Sequence, residues 1–222
     1  MSTRTVLHVG CGQANPAKLH SSFRGAGWKE VRVDIDAAVK PDIVASITDL
    51  RVVPSTSVDA VWSSHSLEHL YAHEVPLALQ EFRRVLKTGG FALIAVPDLQ
   101  QVAQLIAADK LDEPAYISPS GPVAPLDMLY GHRPFLANGQ HFMAHRTGFT
   151  RKTLGQALLG ARFEMVRIWS DDQRNLWAAA YKNPSPELME KAKAQGEVRP
   201  GSQPRAKAPA KKRAQRPKRR RR

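Results

Sequence analysis

A five-residue apolar run, Thr5–Val9, breaks abruptly at Gly10-Cys11-Gly12, and this junction constrains the chain more than any other feature. A short continuous apolar run ending in glycines is the pattern of a strand buried on both faces, as in a covered parallel sheet. Further strand candidates follow at Val31–Asp36, Asp42–Ala45, Val58–Trp62 and Phe91–Val96. Between the last two, Val75, Leu79, Phe82 and Leu86 recur at helical spacing, with Gly89–Gly90 as the expected stop. Asp98 is placed to cap a second helix through Ala108, with Leu99, Val102 and Ile106 on one face. Thr150 is placed to cap a third that buries Leu154, Ala157 and Leu158 and ends at Gly160. Phe163–Trp169 and Leu176–Tyr181 flank a polar loop and read as a hairpin. Together these predict an α/β fold: a Rossmann-like, doubly wound, mainly parallel sheet with a C-terminal antiparallel hairpin.

Charge divides the chain in two. The whole sequence of 222 residues carries a formal net charge of +13, but residues 182–222 alone hold 15 Lys and Arg against 3 acids. Residues 1–182 therefore read as one nearly neutral domain and residues 183–222 as a disordered basic tail, with a helical turn or two over Glu187–Ala194. The polycation Lys211–Arg222 lacks interleaved aromatics, so contact with nucleic acid or an anionic membrane through it is expected to be non-specific and salt-sensitive. Residues 111–147 contain several prolines and little periodicity, and read as a substrate loop or lid. The single cysteine, Cys11, excludes an internal disulfide and a cysteine-rich metal cluster. With no leader pattern and no apolar run of about 20 residues, the expectation is a cytoplasmic protein without a transmembrane segment. Oligomeric state is not encoded legibly.

Three features point to a nucleoside ligand. Gly10 and Gly12 allow a tight turn and close approach of backbone to a ligand. A dinucleotide fingerprint would place a third glycine at position 15, where Asn15 stands, and this weakens a nicotinamide reading. Asp34 ends the second strand and can accept both hydroxyls of an adenosine ribose, with Asp36 as the alternative. Asp49 and Leu50 follow the third strand, where an acid and an apolar side chain could bracket an adenine.

Taken in order and spacing, HVGCGQ, VRVDID, PDIVASITDL, VDAVWSSHSLEHL and EFRRVLKTGGFALIAVPDL resemble the class I S-adenosylmethionine-dependent methyltransferases, in particular the bacterial type 11 group. The resemblance covers residues 5–99, and residues 145–181 look like that family's final helix and last two strands. It implies S-adenosyl-L-methionine as cofactor. Gly10 and Gly12 would pass under its methionine part, Asp34 would hold the ribose, and Asp49 with Leu50 would meet the adenine. Ser64 and His65 would face the methyl group. Asp59 matches a structural acid. One departure is His8, which stands where the family often has an acid two residues before the first glycine.

Methyl transfer from a sulfonium depends mainly on positioning, and needs a general base only where the accepting atom must lose a proton. His65 is the first candidate because strand-end loops carry the chemistry in this fold; His141 and His145, in the possible lid, follow. His65, His69 and His73 recur every fourth residue, but helix packing is preferred over metal ligation for them, and no metal is expected. Glu68 reads as a structural partner in its turn, and Tyr130, Phe135 and Phe142 as possible pocket lining. Cytosine C5 chemistry is disfavoured because Cys11 occupies the glycine turn. Exocyclic amino-group methylation is disfavoured because Ser63-Ser64-His65-Ser66 replaces the Asn/Asp-Pro-Pro-aromatic motif. The expected acceptor is a small molecule; the competing readings are a nucleic-acid-binding protein or RNA methyltransferase recruited by its tail, and a nicotinamide-dependent oxidoreductase.

Overall fold

The computed structural model describes residues 3–194; the start of the expected tail holds a helix over Pro186–Ala194, and the expectation of disorder for residues 195–222 lies outside the described residues. In chain order the elements are β1 (Arg4–Val9), β2 (Trp28–Asp34), β3 (Ile43–Val44), β4 (Val58–Ser64), α1 (Val75–Val85), β5 (Leu86–Pro97) and α2 (Leu99–Ala107). They continue with β6 (Tyr116–Ser118), β7 (Gly121–Val123), α3 (Pro125–Tyr130), α4 (Arg133–Ala137), α5 (Arg151–Gly160), β8 (Met165–Ser170), β9 (Asn175–Tyr181) and α6 (Pro186–Ala194). Seven strands form one sheet in the order β3-β2-β1-β4-β5-β9-β8. The first five run parallel, and β9 joins β5 and β8 antiparallel. Among the described residues no helix is long and apolar enough to cross a membrane.

Alternation along each strand sorts side chains to two unlike faces. On one face Leu7, Val9, Val33, Val61, Ile94 and Ala178 pack beneath α1 and α5. Helix α1 turns Val75, Ala78, Leu79, Phe82 and Val85 into this layer, the stripe expected of an amphipathic helix. The other face carries Val6, Ala60, Trp62, Leu93 and Ala179, and is covered by Leu19 and Phe23. Those two residues belong to the β1–β2 connection, which forms only two 3-10 turns, Pro16–Lys18 and Ser21–Phe23. The aromatic rings on this face stack, Trp62 on Trp177 at 5.8 Å and Trp177 on Trp169 at 6.1 Å.

Four local expectations need correction. β2 begins at Trp28 and ends at Asp34, because its pairing with β1 starts at Arg4 opposite Trp28. Helix α1 stops at Val85 instead of the glycine pair, because Leu86 already pairs with Val58 in the β4–β5 ladder. Gly89 and Gly90 lie inside β5, bound to Lys182 through the backbone. Residues 111–147 are not an irregular loop: the β6–β7 hairpin and α3 pack on α2 around Val102, Val123 and Met128, and the short helix α4 follows. Buried Asp127 organises this insert, accepting from the Ala124 amide at 2.8 Å and from Arg133.

The β8–β9 tip is built around another carboxylate. Asp171 accepts from the amides of Gln173 and Asn175, from Asn175 Nδ2 at 2.9 Å and from Trp177 Nε1 at 2.7 Å. Burial works to raise its pKa, but these donors outweigh it and the net direction is down.

Two outcomes follow for stability. Phe82→Ala opens a cavity in the helix-covered layer and costs about 3–5 kcal/mol in urea unfolding, whereas Leu77→Ala, on the exposed side of α1, stays within about 0.5 kcal/mol. Asp171, with a folded pKa below its unfolded value, stabilises the fold at neutral pH and loses that contribution as the pH falls through the folded value. Asp171→Asn therefore flattens the acid limb of the stability–pH curve below about pH 4, followed by Trp fluorescence; an unchanged limb refutes the assignment.

Candidate active site

Because β1 lies between β2 and β4, the carboxyl ends of these strands bring three sequence-distant segments together: Gly10–Gly12, Asp34 and Ser64–His65. Gly10 and Gly12 adopt φ of +63° and +59°, the left-handed region that side chains rarely tolerate. A Cβ on Gly10 would also run into Ser66 Oγ. Ser66 is a site residue that composition and spacing did not reveal. Its hydroxyl lies 3.4 Å from Val9 O and 3.2 Å from Ser64 O, tying the first turn to the fourth. From the opposite side Asp34 Oδ2 accepts the Gly12 amide at 2.7 Å, and Oδ1 accepts that of Asp36 at 3.0 Å. Asp36 turns its own carboxylate to the amide of Ala38, which leaves Asp34 as the acid at the strand end.

This set fits the methionine and ribose parts of an adenosine-bearing ligand: a bare-backbone bend beside a half-buried carboxylate. The adenine expectation fares differently. Leu50 has no solvent exposure and lies in the core, so its side chain cannot meet a ligand without leaving that packing. Its amide and carbonyl are clamped by Glu81 and Arg84 of α1 at 2.7 Å each. The Asp49 carboxylate faces solvent in a two-pronged pair with Arg51.

His65 sits in the left-handed region at φ +49°, a strained conformation for a histidine, held by its amide bond to Ala95 O. Its Nδ1 lies 3.1 Å from Oε1 of Glu68, whose side chain is 1% exposed. Desolvation opposes the protonated ring, yet the Glu68 carboxylate prevails and raises the His65 pKa. Burial acts to raise that of Glu68, and His65 turns it downward. The structure also brings His145 here. Its ring is 5.0 Å from that of His69, and the amides of Arg146 and Thr147 bind Glu68 O. His141 is not part of this group: it is exposed on the 3-10 turn His141–Met143. His73 stacks on Tyr71 at the surface, and Leu67–His69 is a 3-10 turn, so His65, His69 and His73 share no helix face. Tyr130 and Phe142 are exposed, and Phe135 packs on His132.

His8 resolves its departure from the usual acid through a neighbouring strand. Its Nδ1 is 2.6 Å from Glu30 Oε1, so β2 supplies the carboxylate; burial lowers the His8 pKa despite that partner. A cavity of about 310 Å³ opens there, lined by His8, Cys11, Asn15, Arg24, Glu30 and Arg32 among others. Its lining touches the glycine turn through Cys11 but includes none of Asp34, Ser64 and His65.

Residues 7–94 match the family described as a methyltransferase domain. A comparison with curated protein sequences gave no match. Among solved structures, a SAM-dependent methyltransferase from Archaeoglobus fulgidus aligns with a TM-score of 0.53 at 18% identity, covering 81% of this chain and 86% of that one. One from Methanosarcina mazei gives 0.55 at 16% identity, covering 83% and 95%. The Burkholderia thailandensis 1,6-didemethyltoxoflavin-N1-methyltransferase gives 0.52 at 17% identity, covering 82% and 72%. Residues 7–94 thus carry a methyltransferase domain, the chain shares its fold with S-adenosylmethionine-dependent methyltransferases, and S-adenosylmethionine is the cofactor these matches support.

Proposed function

We propose that this enzyme methylates a small-molecule acceptor, with His65 as general base and Gly10, Gly12, Asp34 and Ser64 as cofactor contacts. The observation that carries this reading is the His65–Glu68 pair at the end of β4, one strand from the glycine turn that Asp34 holds. When bound, the cofactor supplies an electrophilic methyl carbon on a sulfonium. The residues do the rest. Asp34 accepts from the ribose hydroxyls through lone pairs not used by the amides of Gly12 and Asp36. Glu68 accepts from Nδ1–H of His65, which fixes the tautomer and puts the lone pair on Nε2, from where, on exchanging the Asn175 side chain for the acceptor, it takes the proton, the logic of a base oriented by a carboxylate. Ser66 keeps the two turns in register. The insert of residues 111–147 docks on Glu68 through Arg146 and Thr147 and supports a site closed to bulky acceptors. A similar fold accommodates 1,6-didemethyltoxoflavin with S-adenosylhomocysteine in the Burkholderia neighbour. Asp49 is left a rim position and His141 no role.

Calorimetry with S-adenosylhomocysteine tests the cofactor contacts. Asp34→Ala weakens binding by about ten- to a hundredfold, the loss of one or two hydrogen bonds to a charged acceptor, while Asp49→Ala stays within about twofold of wild type. Equal affinity in Asp34→Ala and wild type refutes the assignment. S-adenosylhomocysteine release in the presence of small hydroxyl, amine or carboxyl compounds tests the acceptor. His65→Ala then lowers kcat by about 10²–10⁴ with cofactor affinity retained. Turnover with RNA and none with small molecules replaces this reading by the nucleic-acid one.

A further inference from the structure

Glu68 Oε2 is buried and has no hydrogen-bond partner among the described residues. An unpaired buried carboxylate oxygen is costly, so its surroundings bear on what belongs there. Oε1 is taken by His65. His69 and His145 each offer a ring nitrogen to the Glu68 carboxylate, and the three ligand atoms lie within 4.8 Å of one another.

The two histidines are prepared in the same way. His69 Nδ1 is 3.2 Å from Ala144 O, and His145 Nδ1 is 2.8 Å from Met128 O. A carbonyl only accepts, so both Nδ1 atoms carry the hydrogen and both Nε2 atoms carry a lone pair. Metal-bound histidines are oriented by such an outer bond from the second ring nitrogen to a carbonyl. Two imidazoles, each with a lone pair on Nε2, and one carboxylate thus stand together. The pieces come from the β4–α1 turn and from the end of the insert, and the Arg146 and Thr147 amides on Glu68 O lock the two together.

We infer that Glu68, His69 and His145 form a binding site for one divalent transition-metal cation. Two imidazoles and a carboxylate suit zinc or ferrous iron and not the oxygen-only preference of magnesium or calcium. Metal–ligand distances of about 2.0–2.2 Å require a slight closing of the three side chains. Three protein ligands would leave the ion room for a further ligand. The inference stands on the donors and is independent of which acceptor is methylated.

The test uses the full chain, stripped with a chelator and without cofactor, titrated with Zn²⁺ by calorimetry and with Co²⁺ by visible absorption. One equivalent binds, and Co²⁺ develops the d–d bands of a nitrogen- and oxygen-ligated ion. His145→Phe and Glu68→Gln each weaken binding at least about a hundredfold, beyond the ~10–100-fold that loss of an outer-shell partner costs. His73→Ala, at an exposed histidine outside the cluster, leaves it unchanged. Circular dichroism verifies that the variants fold. No binding by wild type, or binding that survives both variants, overturns the inference. Should both variants unfold, the Co²⁺ spectrum of wild type decides: d–d bands at one equivalent support the site, and their absence overturns it.

Discussion

The pairing of β1 with both β2 and β4 is the constraint from which the rest of the molecule follows. Parallel strands lie about 4.8 Å apart, so the ends of β2, β1 and β4 fall within roughly 10 Å of one another. Everything chemical in the chain that can be placed is on that row or immediately beyond it. The glycine turn closes β1, and it is gripped from one side by Asp34 and from the other by Ser66. Gly10 is thus required by the protein's own packing against Ser66. A side chain at this position would break the link between the β1 and β4 turns before a cofactor arrived.

Much of this was legible in the sequence because the signals are local. Val6, Leu7 and Val9 announce a buried strand by being apolar in series, and Gly10-Cys11-Gly12 announces a sharp turn. Asp98 and Thr150 announce helix starts, and both cap as expected, accepting from the amides of Gln100 and Thr153. The misreadings arise where tertiary contacts override local pattern. Leu86 continues the apolar spacing of α1, yet its backbone is claimed by β4. Distant contacts also fix Leu50, whose backbone is clamped by α1 and whose side chain lies in the core. Neither the reach of Arg84 nor the strand pairing is written in the nearby residues.

The insert was opaque for a different reason. Its elements are three to six residues long, too short to show a period. They are held instead by one buried acid, Asp127, and by a small cluster against α2. Proline and polar content alone made the segment look like a loop. Its functional consequence lies at its end, where the chain returns through His145 to Glu68.

The histidine series shows how helix type changes chemistry at fixed spacing. In an α-helix, residues four apart share a face, and His65, His69 and His73 would line up. In 3-10 geometry, residues three apart eclipse instead. The short turn Leu67–His69, preceded by His65 in a left-handed conformation, sets His65 against Glu68 and directs His69 to the insert. A single carboxylate therefore meets a strand-end histidine through Oε1 and lies beside two histidines of separate segments. The backbone carbonyl of the same residue receives the insert. Glu68 joins β4 to the returning chain, and it can do so only because the turn is wound more tightly than the sequence spacing suggests.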